Sequence, residues 1–120
     1  MKTENVIQQK SFAYAIRIVE LCKILRFETK EFVISDQLLR SGTSIGANIE
    51  EALGGHSKKD FFAKLTIAYK EARESHYWIR ILKATNYITP NTSESMLDDT
   101  EELLKIIGSI QKTMRIKNDL

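Results

Sequence analysis

Apolar residues recur every three or four positions along almost the whole chain. Nowhere do they alternate with polar residues as in a half-buried strand. Four stretches carry the helical period. In the first, about Asn5 to Leu25, Phe12, Ile16, Val19 and Cys22 share a face with Ala13 and Ala15 beside them, and Arg17, Glu20 and Lys23 lie opposite. The polar run Arg26 to Lys30 ends it. The second, about Phe32 to Leu53, sets Ile34, Leu38, Ser41, Ile45, Ile49 and Ala52 on one seam. Gly54-Gly55 stops it, where a positive φ is expected. The third, about Lys58 to Ala84, opens at Ser57 with Asp60 three residues on, a capping box with Asp in place of the usual Glu or Gln. Its seam is Phe61, Leu65, Ala68, Ala72, Ser75, Ile79 and Leu82, with Phe62, Tyr69 and His76 as a second stripe.

Asn86 and Pro90 mark a turn, and Asn91, with Glu94 three on, is the expected cap of a fourth helix. That helix runs from about Thr92 to Ile116. Met96, Leu97, Thr100, Leu103, Leu104, Ile107, Ile110 and Met114 line its inner face, and Gly108 lies outside. Lys117 to Leu120 are expected to fray. Four amphipathic helices with short connections imply an all-α fold, an antiparallel up-down four-helix bundle filling residues 1–120 as one domain. Each helix would be roughly 30–40 Å long.

The hydrophobic content, 42%, is enough for a single core in 120 residues. No apolar run approaches the roughly 20 residues of a membrane span. MKTENVIQQK has no apolar stretch of a secretory signal. Cys22 is the only cysteine, so no disulfide forms within the chain, and a reducing cytoplasm is the expected location. Cys22 itself reads as a small core residue. With 18 basic and 16 acidic residues the net charge is +2, short of the strongly basic balance of a dedicated nucleic-acid binder. Charge is unevenly placed, however. Residues 91–104 carry five acids and no base, and residues 105–117 carry four bases and no acid. Two readings follow: a helix whose ends suit its macrodipole, or a basic binding tail.

Familiar catalytic constellations are missing. A di-iron bundle needs Glu-x-x-His elements on two helices, whereas the two histidines, His56 and His76, stand in no such element. Ser41 and Ser44 lie mid-helix with no strand-to-helix elbow. GTSIGAN lacks both the Lys-Ser/Thr pair and the preceding strand of a phosphate loop. Glu50 and Glu51 are helix neighbours and diverge by about 100°. The expectation is a protein without catalytic residues, metal or cofactor.

Other residues stand out for binding or packing. Gly42 and Gly46 cost roughly 1 kcal/mol each against alanine in a helix interior. Lying four apart on one face, they suggest a close approach by another helix, within the bundle or across subunits. Asn48 beside the inner seam is either a buried amide fixing register or a contact to a ligand or partner. Trp78 is turned about 100° from Ile79, and Tyr14, Phe27 and Phe32 have no assured place in a protomer core. These aromatic residues suggest a subunit interface. Lys70, Arg73, Arg80 and Lys83 sit off the main seam of the third helix, with Tyr77 among them. The row is either a solvated face balanced by Glu71 and Glu74 or a contact for an anionic polymer.

Two elements of Ser41 to Leu82 carry a resemblance. One is Ser-Ile-x-x-Asn-Ile-x-Glu at Ser44, Ile45, Asn48, Ile49 and Glu51; the other is Phe-Phe-x-Lys-Leu-x-Ile-Ala at Phe61 to Ala68. With ILRFETKEFVISDQLLRS upstream, the chain from about Phe12 to Ile110 resembles the bacterial four-helix-bundle family of 23S-rRNA intervening-sequence proteins. It lacks the proline that many members carry after Phe27. The resemblance implies an up-down bundle assembled as a homopentamer. It also implies kinship with the accessory protein of diversity-generating retroelements, which binds its reverse transcriptase and nucleic acid. It carries over no catalytic residue. The expected function is a non-catalytic oligomeric module contacting RNA or a nucleic-acid-handling protein through Lys70, Arg73, Arg80 and Lys83, with no membrane partner. The alternative is a protein-only adaptor.

Overall fold

Four helices make up the fold: α1 (Lys2–Phe27), α2 (Val33–Leu53), α3 (Lys58–Ala84) and α4 (Pro90–Ile116). The computed structural model describes residues 2–118, with side chains from residue 4 onward. Among these residues there is no strand. Cross-helix pairs run in opposite directions on every seam. Gln8 meets Glu50 while Arg26 meets Asp36, so α1 and α2 are antiparallel. Arg40 meets Glu71 while Glu51 meets Lys64, and His76 meets Glu101 while Thr66 meets Gln111. Lys10–Glu102 and Arg17–Asp99 close the ring between α1 and α4. The diagonal pairs α1/α3 and α2/α4 stand farther apart than the adjacent ones among the described residues. The result is an antiparallel up-down bundle of 47 × 22 × 20 Å.

The seams expected for α2, α3 and α4 form most of the core, with Leu38, Ile45, Ile49, Leu65, Ile79, Leu82, Leu103 and Ile107 fully buried. The expected face of α1 is not the buried one. Phe12 is 66% and Ile16 45% exposed, and the helix turns Ile7, Ser11, Tyr14, Ile18, Leu21, Cys22 and Leu25 inward instead. Two apolar stripes compete on this helix, and contact with α2 decides between them. Ser11 lies against Gly46, where its small side chain lets the two backbones come together. A polar residue therefore occupies a core position and masks the true seam. Cys22 lies on that seam, its thiol 3.4 Å from the carbonyl of Ser35, and burial pushes it up to about 11. It is an inert core residue at neutral pH.

Each helix also sends one hydroxyl into the middle of the bundle: Tyr14, Ser41, Ser75 and Thr100, all buried. Tyr14 Oη lies 2.6 Å from Thr100 Oγ1, and Ser75 Oγ donates to Ser41 Oγ at 2.9 Å. Every buried side-chain polar atom among the described residues has a partner. A polar layer with each group satisfied penalises sliding of one helix along another, because a slipped register strands a hydroxyl in apolar surroundings.

Helix ends differ from the expectations in three places. α4 begins at Pro90, with Thr89 rather than Asn91 as its cap; Thr89 Oγ1 accepts from the Thr92 N–H at 3.1 Å. Proline suits that first helical position, because its missing N–H would have no partner there. At the end of α2 neither glycine has positive φ. A Cβ at Gly55 would meet Asp60 Oδ2, a side-chain end that can shift, and the Ala52 carbonyl oxygen at 3.2 Å. The left-handed positions fall to Lys30, Asn86 and Asn118. Asn86 closes α3 with a Tyr87 N–H to Leu82 carbonyl bond at 2.9 Å. Ser57 caps α3 as its spacing predicts, accepting from the Asp60 N–H at 3.0 Å. α4 ends at Ile116; Asp119 and Leu120, expected to fray, lie outside the described residues.

α2 has no side-chain bond from its own cap residue, Phe32. Glu31 supplies one from the preceding position. Its nearly buried carboxylate accepts from the N–H groups of Ile34 at 3.1 Å and Ser35 at 2.7 Å. A carboxylate on the first-turn N–H groups gains from both the hydrogen bonds and the helix dipole. Glu31→Ala is expected to lower stability by about 1–3 kcal/mol in urea denaturation, with Glu31→Gln intermediate.

Candidate nucleic-acid interface

The outer face of α3 is polar because its opposite face is fully committed to the core. Lys70, Arg73, Arg80 and Lys83 are all exposed on it. None of the four has an ion pair among the described residues. Some other cations are tied down: Arg40 to Glu71 and Glu74, Lys64 to Glu51, Arg17 to Asp99, Lys10 to Glu102. Glu71 and Glu74, the acids expected to balance the row, turn toward α2 and neutralise Arg40 instead.

The structure brings only part of the row together. Arg73 and Arg80, with Tyr77 between them, line an open groove of about 630 Å³ along α3 and α4. The Arg80 guanidinium carbon lies over the Tyr77 ring at 5.6 Å. Lys70 and Lys83 are not part of the groove lining. From Lys70 to Lys83 the helix advances about 20 Å. Glu74, His76, Glu101 and Leu104 complete the groove. Glu74 is held by Arg40 and the Trp78 indole N–H, and Glu101 Oε2 lies 3.0 Å from His76 Nε2. Sequence reasoning missed the Glu101 contribution, since the two helices meet only in the fold.

Among the described residues, three of the five acids of α4 have partners across the bundle. Asp99 and Glu102 reach α1, and Glu101 reaches α3. They join helices rather than only complementing a dipole. Among the described residues no three His, Cys, Asp or Glu side chains gather as a metal site, and no helix is long and apolar enough to cross a membrane.

The remaining singled-out residues find places within the protomer. Gly42 is buried against Ile18, and Gly46 faces the backbone of Ser11. Asn48 is half-buried; its amide donates to the carbonyl of Ser44 at 2.8 Å, within its own helix rather than across the bundle. Trp78 is half-buried against the core, its indole N–H 2.9 Å from Glu74 Oε2. Tyr14, considered for a subunit surface, is 2% exposed and belongs to the core. Phe27 and Phe32 do remain outside, at 71% and 47% exposed.

The family model described as 23S rRNA-intervening sequence protein matches residues 3–109. The chain belongs to this family. A solved structure of a protein of unknown function from the S23 ribosomal protein family of Bacteroides thetaiotaomicron is similar throughout. The two are 52% identical, with a TM-score of 0.90 over 92% of this chain and 98% of that one. Among curated proteins nothing matches. The family match and the structural likeness thus cover the bundle that presents the α3 row.

Proposed function

We propose that this protein is a non-catalytic, oligomeric RNA-binding module of the cytoplasm, contacting RNA or a ribonucleoprotein through the outer face of α3. The observation that carries the reading is the row Lys70, Arg73, Arg80 and Lys83, exposed and without ion pairs while Arg40 on the adjacent helix takes Glu71 and Glu74. Unpaired cations in a row suit phosphates, because each contact releases condensed counterions. Membership of a family described by an rRNA intervening sequence supports RNA as the polymer. Assembly into a homo-oligomer, with a pentamer favoured, is supported by the apolar residues α1 leaves outside. Phe12 and Ile16 form an exposed stripe there, with half-buried Val19 beside them.

Charge reversal at Arg73 and Arg80 tests the RNA contact. The double variant Arg73→Glu with Arg80→Glu is expected to bind structured RNA roughly tenfold to a hundredfold more weakly, and to lower the salt slope by about two. Its circular dichroism and melting should match the parent, since both residues are exposed. Unchanged RNA affinity in a folded variant would overturn the assignment of this face. Light scattering after size exclusion tests the assembly, and a clean monomer mass would remove it. Capture of a protein partner that is insensitive to salt, with no RNA retained at low salt, would favour a protein-only adaptor instead.

A further inference from the structure

Tyr77 is the least explained residue of the α3 groove. It is 48% exposed, yet its ring is not free to wander. Trp78 meets it edge-on, with centroids 5.2 Å apart and planes at 65°. The Trp78 indole is itself anchored through Glu74 to Arg40 on α2. Arg80 lies over the ring, and Arg73 lines the same groove one helical turn before it. An oriented aromatic face between two cations is suited to an unpaired base: the face stacks on the base, and the cations hold its phosphates. Duplex RNA offers no such contact, because its bases are stacked inside the helix and its shallow groove shows only edges, hydroxyls and phosphates.

The acids in the groove bear on the same point. Glu74 and Glu101 repel phosphates from the interior, although each already has a cationic or N–H partner. A nucleotide would thus keep its backbone at the outer edge, beside Arg73, and turn its base inward toward Tyr77. We infer that the α3–α4 groove takes single-stranded RNA, with one unpaired base stacked on Tyr77 beside Arg80. This rests on the reading of the α3 row as an RNA-binding surface.

The test compares a short labelled oligouridylate with a blunt RNA duplex of equal length, by fluorescence anisotropy at matched salt. The oligouridylate should bind the wild-type chain more tightly. Tyr77→Leu should weaken oligouridylate binding about tenfold with the salt slope unchanged, and Tyr77→Phe should retain binding. Arg73→Glu should weaken binding and flatten the salt slope. Circular dichroism checks that each variant is folded. Equal binding of oligouridylate by Tyr77→Leu and wild type, or preference for the duplex, would overturn the stacking inference. If wild type also binds the duplex and Arg73→Glu weakens that binding, the RNA-binding reading survives such a result. If wild type binds neither RNA at low salt, both fall.

Discussion

Gly42→Leu is expected to leave the chain largely unfolded at neutral pH, with a loss of about 4 kcal/mol or more. A Cβ at this position would already sit 2.7 Å from Ile18 Cγ1 and 2.9 Å from Cγ2. Both atoms branch from the Ile18 Cβ, and a β-branched side chain in a helix has one strongly preferred rotamer, so it cannot swing aside. Ile18 is fully buried, which leaves separation of α1 from α2 as the main relief. Overpacking a core commonly costs about 1–3 kcal/mol for a few methylenes, and leucine adds four carbons where one does not fit. Even Gly42→Ala is expected to gain nothing, because its helix-propensity advantage of about 1 kcal/mol is spent on that clash. Gly46→Ala should behave differently. Its Cβ would lie 3.4 Å from the Ser11 carbonyl oxygen, an ordinary contact, so the propensity gain should appear as a small rise in melting temperature. Urea midpoints for the three variants provide the check. A fully folded Gly42→Leu chain with parental stability would show that the α1–α2 seam is not close-packed here. Combining Gly42→Ala with Ile18→Ala should show strong coupling if Ile18 is the obstacle, whereas Ile18→Val keeps two γ-carbons and should relieve little.

Much of this contact is legible in the amino-acid pattern. Two glycines four apart in an otherwise regular seam announce a close neighbour, and α2 and α3 place their buried residues where the three-and-four spacing puts them. What the pattern does not show is which neighbour. α1 carries one apolar stripe through Phe12 and Ile16 and another through Ile7, Tyr14, Ile18 and Leu25. Periodicity scores both. The second is interrupted by Ser11, whose smallness matters only once Gly46 lies opposite. Tyr14 is hidden for a related reason: a phenol looks like surface until a partner for its hydroxyl is known, and that partner, Thr100, is on another helix. The α3 row is readable as a set of bases on one face. That Glu71 and Glu74 serve Arg40 rather than this row, and that Arg73 and Arg80 share a groove with Tyr77, depends on the helix pairing.

Tyr14→Ala is expected to cost about 3–5 kcal/mol, the range for removing a buried aromatic ring. Smaller changes separate the ring from its hydroxyl. Thr100 Oγ1 donates to the Met96 carbonyl at 2.7 Å, so in the 2.6 Å contact the Tyr14 hydroxyl is the donor. Tyr14→Phe then removes one hydrogen bond without orphaning Thr100, at about 1 kcal/mol. Thr100→Val is the harsher change at about 1–3 kcal/mol, because it takes the acceptor from a buried phenol. The same pair has a signature at high pH. Burial pushes the Tyr14 hydroxyl from 10.0 up to about 12. Because the folded value is the higher one, this contribution to stability is complete below pH 10, where the unfolded chain still holds its proton. It is lost as pH rises from 10 through about 12, by an amount approaching about 2–3 kcal/mol. Tyr14→Phe lacks this loss. Wild type should therefore be the more stable protein at pH 8, and the phenylalanine variant should overtake it between pH 10 and 12. Urea denaturation of the two across that window checks the crossing. Parallel stability curves would mean that Tyr14 titrates normally and that the polar layer is open to water.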